Sequence, residues 1–225
     1  MKIRFLGHSA TEVVGEKVRI LIDPFITGNA VCPIKAEELQ PDVIILTHGH
    51  GDHVGDTAAL AERTGALIIC GYDTGLQLEA KGLKVHSLGL GGKWQFDWGM
   101  VRMVPAFHGS GMATCHPAGF VIHLDGQRFY HAGDTCLYSD MKLLNGVIEQ
   151  PGIDVAMLPI GDRYTMGPED AAIAAQWIGA KTVIPIHYGS FPGVLTGTAE
   201  AFQAHVTALG GPTVHVLKPG ETYAL

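Results

Sequence analysis

Charged residues and cysteines are both scarce in this 225-residue chain. Only 16% of the residues are charged, and the four cysteines form no C-x-x-C pair, which excludes a zinc ribbon and a thioredoxin-type redox motif. No apolar run approaches the roughly 18 residues of a membrane span, so we expect a soluble, cytoplasmic protein. The net charge of −7 argues against a broad surface for duplex nucleic acid.

The chain also lacks a G-x-S-x-G nucleophile elbow and a Walker A motif, which disfavours a serine hydrolase and a nucleotide-binding protein. What it does have is a large apolar fraction, 47%, which is enough to bury a sizeable core. Histidine is abundant as well. There are 12 histidines, nearly as many as the 15 Lys and Arg residues together, and their positions need an explanation.

Short apolar runs separated by Gly, Asp and Pro predict many short strands and fewer helices. The predicted strands are 2–6, 11–14, 18–22, 43–47, 67–70, 83–88, 101–106, 119–124, 127–131, 155–159, 182–186 and 214–217. The predicted helices are 54–63, 73–81, 140–150, 168–178 and 199–209. This order favours a single α/β domain over 1–225, made of two similar halves of about 1–115 and 116–225, with the strands central.

The densest group of histidines is the sequence HGHGDH at 48–53, directly after a predicted strand. Residues two apart on an extended segment face the same side, so His48 and His50 can converge on one metal ion. The intervening glycines let the loop turn and direct Asp52 and His53 to a second point nearby. A divalent cation relieves the repulsion among so many imidazoles, and this pattern predicts a metal site. A polar loop with chance histidines is the alternative.

This motif, with Thr47 before it, resembles the signature of the metallo-β-lactamase superfamily. The resemblance extends over nearly the whole chain, with further matching stretches at 6–9, 23–24, 108–110, 130–135, 141–143, 165–171 and 185–188. The chain looks in particular like the metal-dependent hydrolases close to the ascorbate-6-phosphate lactonases. The resemblance implies a four-layer αββα sandwich of two similar halves.

The resemblance also implies a dinuclear metal site and the residues that form it. The first metal would be bound by His48, His50 and His108, the second by Asp52, His53 and His187, and Asp134 would bridge the two. His108, Asp134 and His187 each follow a predicted strand. Each also has an alternative interpretation without a metal. His108 would then be an ordinary loop histidine, Asp134 a turn aspartate and His187 a structural histidine at a strand end.

Two more residues are candidates for roles near this site. In the superfamily an aspartate at the place of Asp23 orients a ligand histidine from behind, while a turn aspartate before Pro24 is the alternative. His8, in the loop after the first predicted strand, would contact the substrate or cap a turn. Ser9, Tyr138 and Tyr188 are candidate substrate donors, and His116 and His131 are interpreted as structural.

The function implied is hydrolysis of a small ester, lactone or phosphoester by a hydroxide that bridges two metal ions. Asp52 is the candidate general acid/base, because it can ligate a metal and accept the proton of water. Histidine-rich ligation favours zinc, with manganese next and iron after it. His50 stands where the diiron oxygen-reducing branch of the superfamily has glutamate, which counts against a redox function.

Two other functions stay open at the sequence level. One is a nucleic-acid phosphodiesterase similar to the tRNA 3′-processing branch, against which the negative charge and the lack of a basic arm weigh. The other is a non-catalytic metal or ligand sensor that retains the site. We expect a small-molecule substrate and no membrane partner, and the sequence leaves open whether the chain forms a homo-oligomer.

Overall fold

The strands form two sheets within residues 1–111 and 115–225, which the computed structural model describes. The first sheet contains β1 (Lys2–Gly7), β2 (Ala10–Val14), β3 (Arg19–Ile22), β4 (Val43–Ile45), β5 (Leu67–Gly71) and β6 (Val85–Leu88). The second contains β7 (Lys93–Gln95), β8 (Met100–Pro105), β9 (Ala118–Leu124), β10 (Gln127–His131), β11 (Val155–Pro159), β12 (Thr182–Ile186) and β13 (Thr213–Val214). A final strand, β14 (Thr222–Ala224), returns to the first sheet beside β1.

The helices pack on the outer faces of these sheets or begin at their strand ends. They are α1 (Gly51–Val54), α2 (Thr57–Thr64), α3 (Tyr72–Glu79), α4 (Pro168–Ile178) and α5 (Ala199–Ala208). Two short 3-10 segments, Ala36–Glu38 and Ser139–Leu144, complete the described helical structure. No helix in the described part of the chain is long and apolar enough to cross a membrane.

Alternation along the strands builds three apolar layers. On β9, Phe120 and Ile122 face the first sheet and enter the central core, whereas Val121 faces the helices on the other side. Leu60 of α2 belongs to the apolar cluster outside the first sheet, and Phe202 of α5 to the cluster outside the second. The order of layers is therefore helix, sheet, sheet, helix, which confirms the predicted αββα sandwich.

Strand direction decides where the site lies. In the first sheet β1, β3 and β4 run the same way, and in the second sheet β8, β10, β11 and β12 do so. The carboxyl ends of co-directed strands meet at one edge of a sheet, which is where α/β folds bind ligands. The residues that follow these ends include His8, Asp23, His48, His108, Asp134 and His187.

Several predicted elements match the structure closely. The predicted strands 127–131, 155–159 and 182–186 coincide with β10, β11 and β12, and the predicted helix 168–178 coincides with α4. Pro168 at the first turn and Gly179 in the left-handed region after the last turn explain the sharp limits of α4.

Other predicted elements are wrong in extent or type. The predicted helix 54–63 is split into α1 and α2, because Gly55 has φ 39 and its Cα packs so closely on Pro24 that a side chain would collide with the Pro24 carbonyl. In place of the predicted helix 140–150 the structure has a 3-10 segment that ends at Leu144. Of the predicted strand 214–217, only Val214 lies in a strand, β13. The three-residue strands β7 and β14 were not predicted.

The chain passes from one sheet to the other well before residue 115, where the two predicted halves meet. The chain leaves the first sheet after β6 and enters the second at β7, so the passage lies between residues 88 and 93. Because β14 returns to β1, the first sheet contains both an early segment and the end of the described chain. The histidine-rich loop and His108 consequently belong to different sheets.

Candidate metal centre

The histidine-rich loop begins just after β4, and hydrogen bonds to Asp23 fix the position of Thr47 at its start. Thr47 donates two hydrogen bonds to Asp23, from its backbone nitrogen to Oδ1 at 2.9 Å and from its hydroxyl to Oδ2 at 2.6 Å. Because the hydroxyl proton goes to the carboxylate, the Thr47 oxygen accepts from Nδ1–H of His48 at 3.0 Å. This leaves the Nε2 atom of His48 unprotonated and available as a ligand.

His48, His50 and His108 form a first group of nitrogen donors. One ring nitrogen from each lies within 4.8 Å of the other two, and Nε2 of His48 is 2.9 Å from Nδ1 of His50. Burial, together with the charge of His53, lowers the pKa of His48 to about 3, so this imidazole is neutral near pH 7. Burial also lowers the pKa of His108. Converging neutral imidazoles are the donors that zinc and related metals prefer.

A second group lies beside the first and contains a carboxylate. It comprises His8, Asp52, His53 and His187, whose candidate ligand atoms also lie within 4.8 Å of one another. Burial alone would raise the pKa of Asp52, but the hydrogen bond from His8 and the charge of His53 outweigh burial and lower it. Asp52 is therefore ionised near pH 7.

Asp134 lies between the two groups. Its Oδ1 atom is 3.3 Å from Nε2 of His53, and its Oδ2 atom is 3.0 Å from Nε2 of His187 and 3.4 Å from Nε2 of His108. Burial by itself would raise the pKa of Asp134, but His53 and His187 hold it well below its ordinary value. The structure thus brings all seven predicted ligands to one place, with an ionised carboxylate at its centre.

The polar atoms of this cluster fit a bound metal. Nε2 of His53 and Oδ1 of Asp134, which face each other at 3.3 Å, are buried without a hydrogen-bond partner. Burial alone would lower the pKa of His53, yet the carboxylates of Asp134 and Asp23 raise it well above its ordinary value, so the cluster attracts positive charge. A divalent cation bound here would coordinate these buried atoms, which otherwise have no partner.

Asp23 orients His53 from the side opposite the cluster. Its Oδ2 atom accepts a hydrogen bond from Nδ1 of His53 at 2.7 Å, and both side chains are fully buried. Burial alone would raise the pKa of Asp23, but His53 lowers it. With Nδ1 protonated, Nε2 of His53 faces Asp134, which is the orientation a ligand histidine requires.

His8 lies behind Asp52 rather than at the surface. Its side chain is fully buried, and its backbone has the left-handed φ of 58. Nδ1 of His8 is 2.6 Å from the hydroxyl oxygen of Ser190, and Nε2 is 3.2 Å from Oδ2 of Asp52. Burial lowers the pKa of His8 to about 4, so the ring is neutral near pH 7 and can donate to Asp52.

The remaining candidates from the sequence are used elsewhere. His131 is buried, with Nε2 donating to the carbonyl of Ser9 at 3.0 Å, and the Ser9 side chain is itself fully buried. The Tyr138 hydroxyl donates to the carbonyl of Pro105 at 2.5 Å. Tyr188 stacks on Phe5 at 6.5 Å between ring centroids and lines a separate cavity. A substrate role is therefore unsupported for these three hydroxyl residues.

A cavity of about 420 Å³ opens beside the cluster. Five predicted site residues line it, namely His50, Asp52, His108, Asp134 and His187. Its other lining residues, Tyr164, Phe191, Val194 and Leu195, were not predicted. They lie in loops without helical or strand periodicity, and no local pattern in the sequence marks them as cavity residues.

Gly161 gives a test of how tightly the strand ends are packed. A Cβ atom at this position would collide with the carbonyl oxygen of His187 and lie 2.9 Å from its Nδ1. We expect Gly161→Ala to displace His187 and lower kcat/KM about tenfold to a hundredfold, because small displacements in a catalytic site are costly. Gly89→Ala is the control, since a Cβ there meets nothing within 4 Å. Equal activity and metal content in both variants would contradict this packing.

Fold and site together define a class of protein. The model of the beta-lactamase superfamily domain matches residues 18–188, which is most of the chain. Among solved structures, the metallo hydrolase Igni18 of the archaeon Ignicoccus hospitalis superposes with a TM-score of 0.91 at 33% identity, covering 100% of this chain and 98% of that one. An isothiocyanate hydrolase from Delia radicum gut bacteria has the same fold, with a TM-score of 0.79 at 21% identity, covering 100% of this chain and 99% of that one.

Curated relatives narrow the class further. A UPF0173 metal-dependent hydrolase of Symbiobacterium thermophilum is 61% identical over 225 residues, covering 100% of both chains. A relative of the same name from Bacillus subtilis is 45% identical, again covering 100% of both chains. The chain therefore belongs to the metal-dependent hydrolases of the metallo-β-lactamase superfamily that these relatives represent. The link to the ascorbate-6-phosphate lactonases stays a prediction.

Proposed function

We propose that the protein hydrolyses a small ester, lactone or phosphoester with two divalent cations held at this centre. The observation that carries the proposal is the pair of donor groups joined through one buried carboxylate beside a cavity. In this assignment His48, His50 and His108 would hold one ion, Asp52, His53 and His187 would hold the other, and Asp134 would contribute to both. A cavity of about 420 Å³ suits a small molecule.

The two cations, when bound, supply a hydroxide near neutral pH and polarise the scissile carbonyl or phosphoryl group. The side chains of this chain orient the reactants. Asp23 keeps the Nε2 atom of His53 toward the centre, and Thr47 does the same for His48. These contacts give the ligands fixed positions before substrate arrives, so that little rearrangement is needed during the reaction.

We propose that Asp52 orients the attacking water and accepts its proton. It lines the cavity, and 33% of its side chain is exposed, so water can reach it. Its lowered pKa keeps it ionised, which suits a group that accepts a hydrogen bond from water and orients it. Neutral His8 donates to Oδ2 and holds the carboxylate in place.

Zinc is the metal that we propose first, with manganese or iron as alternatives. Five of the seven proposed ligands are imidazoles, a donor set that suits zinc, whereas the two carboxylates also accept the harder ions. A small-molecule substrate is proposed over nucleic acid, because the net charge is −7.

Metal analysis followed by a substrate screen tests this function. The purified protein is stripped with a chelator, and zinc, manganese or iron is then restored separately. Each form is assayed on lactones, carboxylic esters, thioesters and phosphodiesters, with precursor tRNA as a further substrate. We expect two equivalents of bound metal and turnover that disappears on stripping and returns with one or more of the ions.

Three results would contradict the proposal in different ways. Turnover that persists after complete metal removal would exclude the mechanism. Stoichiometric metal without turnover on any of these substrates would favour a sensor. Efficient cleavage of precursor tRNA that weakens steeply with salt would favour the nucleic-acid phosphodiesterase.

A further inference from the structure

The lining of the cavity beside the metal centre consists of two chemically different groups of residues. One group is formed by the predicted site residues and carries their nitrogen and oxygen atoms. The other is formed by Tyr164, Phe191, Val194 and Leu195, whose side chains are apolar apart from the Tyr164 hydroxyl and which we call the apolar wall. The proposed metal ligands do not include these four residues, so the proposed hydrolysis does not by itself account for this wall.

The apolar wall is built from two loops that are bonded to each other. One loop follows β11 and carries Tyr164, and the other follows β12 and carries the remaining wall residues. The backbone nitrogen of Thr196 donates to the carbonyl of Gly161 at 3.0 Å, which ties the loops together. Within the second loop the nitrogens of Val194 and Leu195 both donate to the carbonyl of Phe191 at 3.1 Å.

Packing also fixes two of the four side chains of the wall. The ring of Phe191 stacks on Phe25 with 6.2 Å between centroids, and it meets the ring of His8 edge-on at 5.3 Å. Leu195 is only 7% exposed although it lines the cavity. This part of the wall is preformed, so binding an apolar group against it requires little ordering of the protein.

The charge of the cavity argues for an uncharged substrate. Among the described residues that line it, none is Lys or Arg. The sequence itself has no Lys or Arg between Arg102 and Arg128, the stretch that contains His108. Arg163 is exposed, with its guanidinium carbon 5.1 Å from the ring centre of Tyr164, and it does not line the cavity. The proposed metal ions would attract a phosphate, but the described lining adds no Lys or Arg side chain to pair with the remaining charge of a dianionic phosphate.

We propose that the apolar wall binds the acyl chain of an uncharged carboxylic ester or lactone and presents its carbonyl to the metal centre. This inference rests on the proposed hydrolytic function and narrows it to a substrate class. Each methylene that the wall removes from water should raise kcat/KM about threefold to fourfold until the cavity is filled.

A chain-length series on the metal-loaded protein tests the proposal. The substrates are the 4-nitrophenyl esters of acetate, butanoate, hexanoate and octanoate, with 4-nitrophenyl phosphate and bis(4-nitrophenyl) phosphate for comparison. Metal-stripped protein corrects for spontaneous hydrolysis. We expect kcat/KM to rise through the ester series, to stay lower for both phosphates, and to rise mainly through a falling KM.

Two variants of the wall and one remote control locate the effect. Phe191→Ala removes apolar surface, and Val194→Thr replaces one methyl by a hydroxyl; because Val194 is only half-buried, folding and metal content should persist in the second variant. Both should flatten the rise of kcat/KM with chain length, measured in each variant relative to its own acetate ester. Tyr72→Ala, at an exposed position on α3, should leave the whole series unchanged.

The outcomes separate this inference from the proposed function. Metal-dependent ester hydrolysis with no chain-length dependence, or with the same dependence in Val194→Thr, would overturn the inference and leave the hydrolase intact. A clear preference for either phosphate would also overturn it. Absence of metal-dependent turnover on every substrate would overturn both.

Discussion

Asp134→Asn is expected to abolish tight metal binding and to lower kcat/KM at least a hundredfold. Asp134 is the one carboxylate that lies between the two donor groups, within 3.4 Å of nitrogens on His53, His108 and His187. The amide keeps the shape of the side chain but removes its charge and one acceptor oxygen. Even residues behind metal ligands typically contribute tenfold to a hundredfold, so a bridging ligand should contribute more.

Metal stoichiometry by mass spectrometry and steady-state kinetics check this expectation, with circular dichroism to show that the fold persists. Asp97→Asn is a matched control, because Asp97 is exposed in the connection between β7 and β8. It should retain full metal content and activity. Near-normal metal content and turnover in Asp134→Asn would show that the assignment of Asp134 as a bridge is wrong.

Asp23→Ala is expected to reduce both stability and metal affinity. The carboxylate accepts hydrogen bonds from the backbone and hydroxyl of Thr47 and from Nδ1 of His53, all in a fully buried position. Its loss leaves these donors unpaired, and breaking a buried pair of this kind costs about 3–5 kcal/mol. Metal affinity should fall about tenfold to a hundredfold, because His53 loses the partner that orients it.

Urea denaturation of metal-stripped protein and a competition titration with a chromophoric chelator measure the two effects separately. The control is Asp42→Ala, because Asp42 also accepts a backbone hydrogen bond, from Arg19 at 2.8 Å, but is exposed. It should cost less than about 1 kcal/mol. Wild-type stability and metal affinity in Asp23→Ala would contradict the orienting role.

The pH dependence of the free energy of unfolding should also depend on Asp23. The pKa of Asp23 is lower in the folded protein than its ordinary value of 3.8, so its contribution to stability is complete above that value and is lost as the pH falls through its folded pKa. The free energy of unfolding of the wild type should therefore fall on acidification below about pH 4. Asp23→Asn, which does not titrate, should show a shallower decline in the same measurement.

Local chemistry explains which elements could be predicted from the sequence. The strands β11 and β12 are nearly continuous apolar runs, β10 begins directly after an Asp-Gly turn, and α4 has Pro at its start and Gly at its end. By contrast, β7 is a three-residue edge strand whose residues are all exposed, so no apolar pattern marks it. Gly55 split a predicted helix because it packs against Pro24, a contact that periodicity does not reveal.

The candidate site likewise contains residues that could be predicted from the sequence and residues that could not. His48, His50, Asp52 and His53 could be identified within six residues, because their spacing after a strand is itself a metal-binding pattern. The role of His8 could not be chosen, because its partner Ser190 is 182 residues away. The apolar wall was missed for a similar reason: its residues lie in two irregular loops that only the packing of β11 beside β12 brings together.

The superfamily and the histidine-rich set of candidate metal ligands could be predicted from the sequence alone, since a run of histidines and an aspartate after a buried strand is a local feature. The buried carboxylates that hold those histidines and the apolar residues that line the cavity became apparent only from the fold. Strand direction and sheet pairing place residues from His8 to Leu195 around or next to one cavity. Such convergence depends on contacts between distant segments, which local composition and periodicity do not encode.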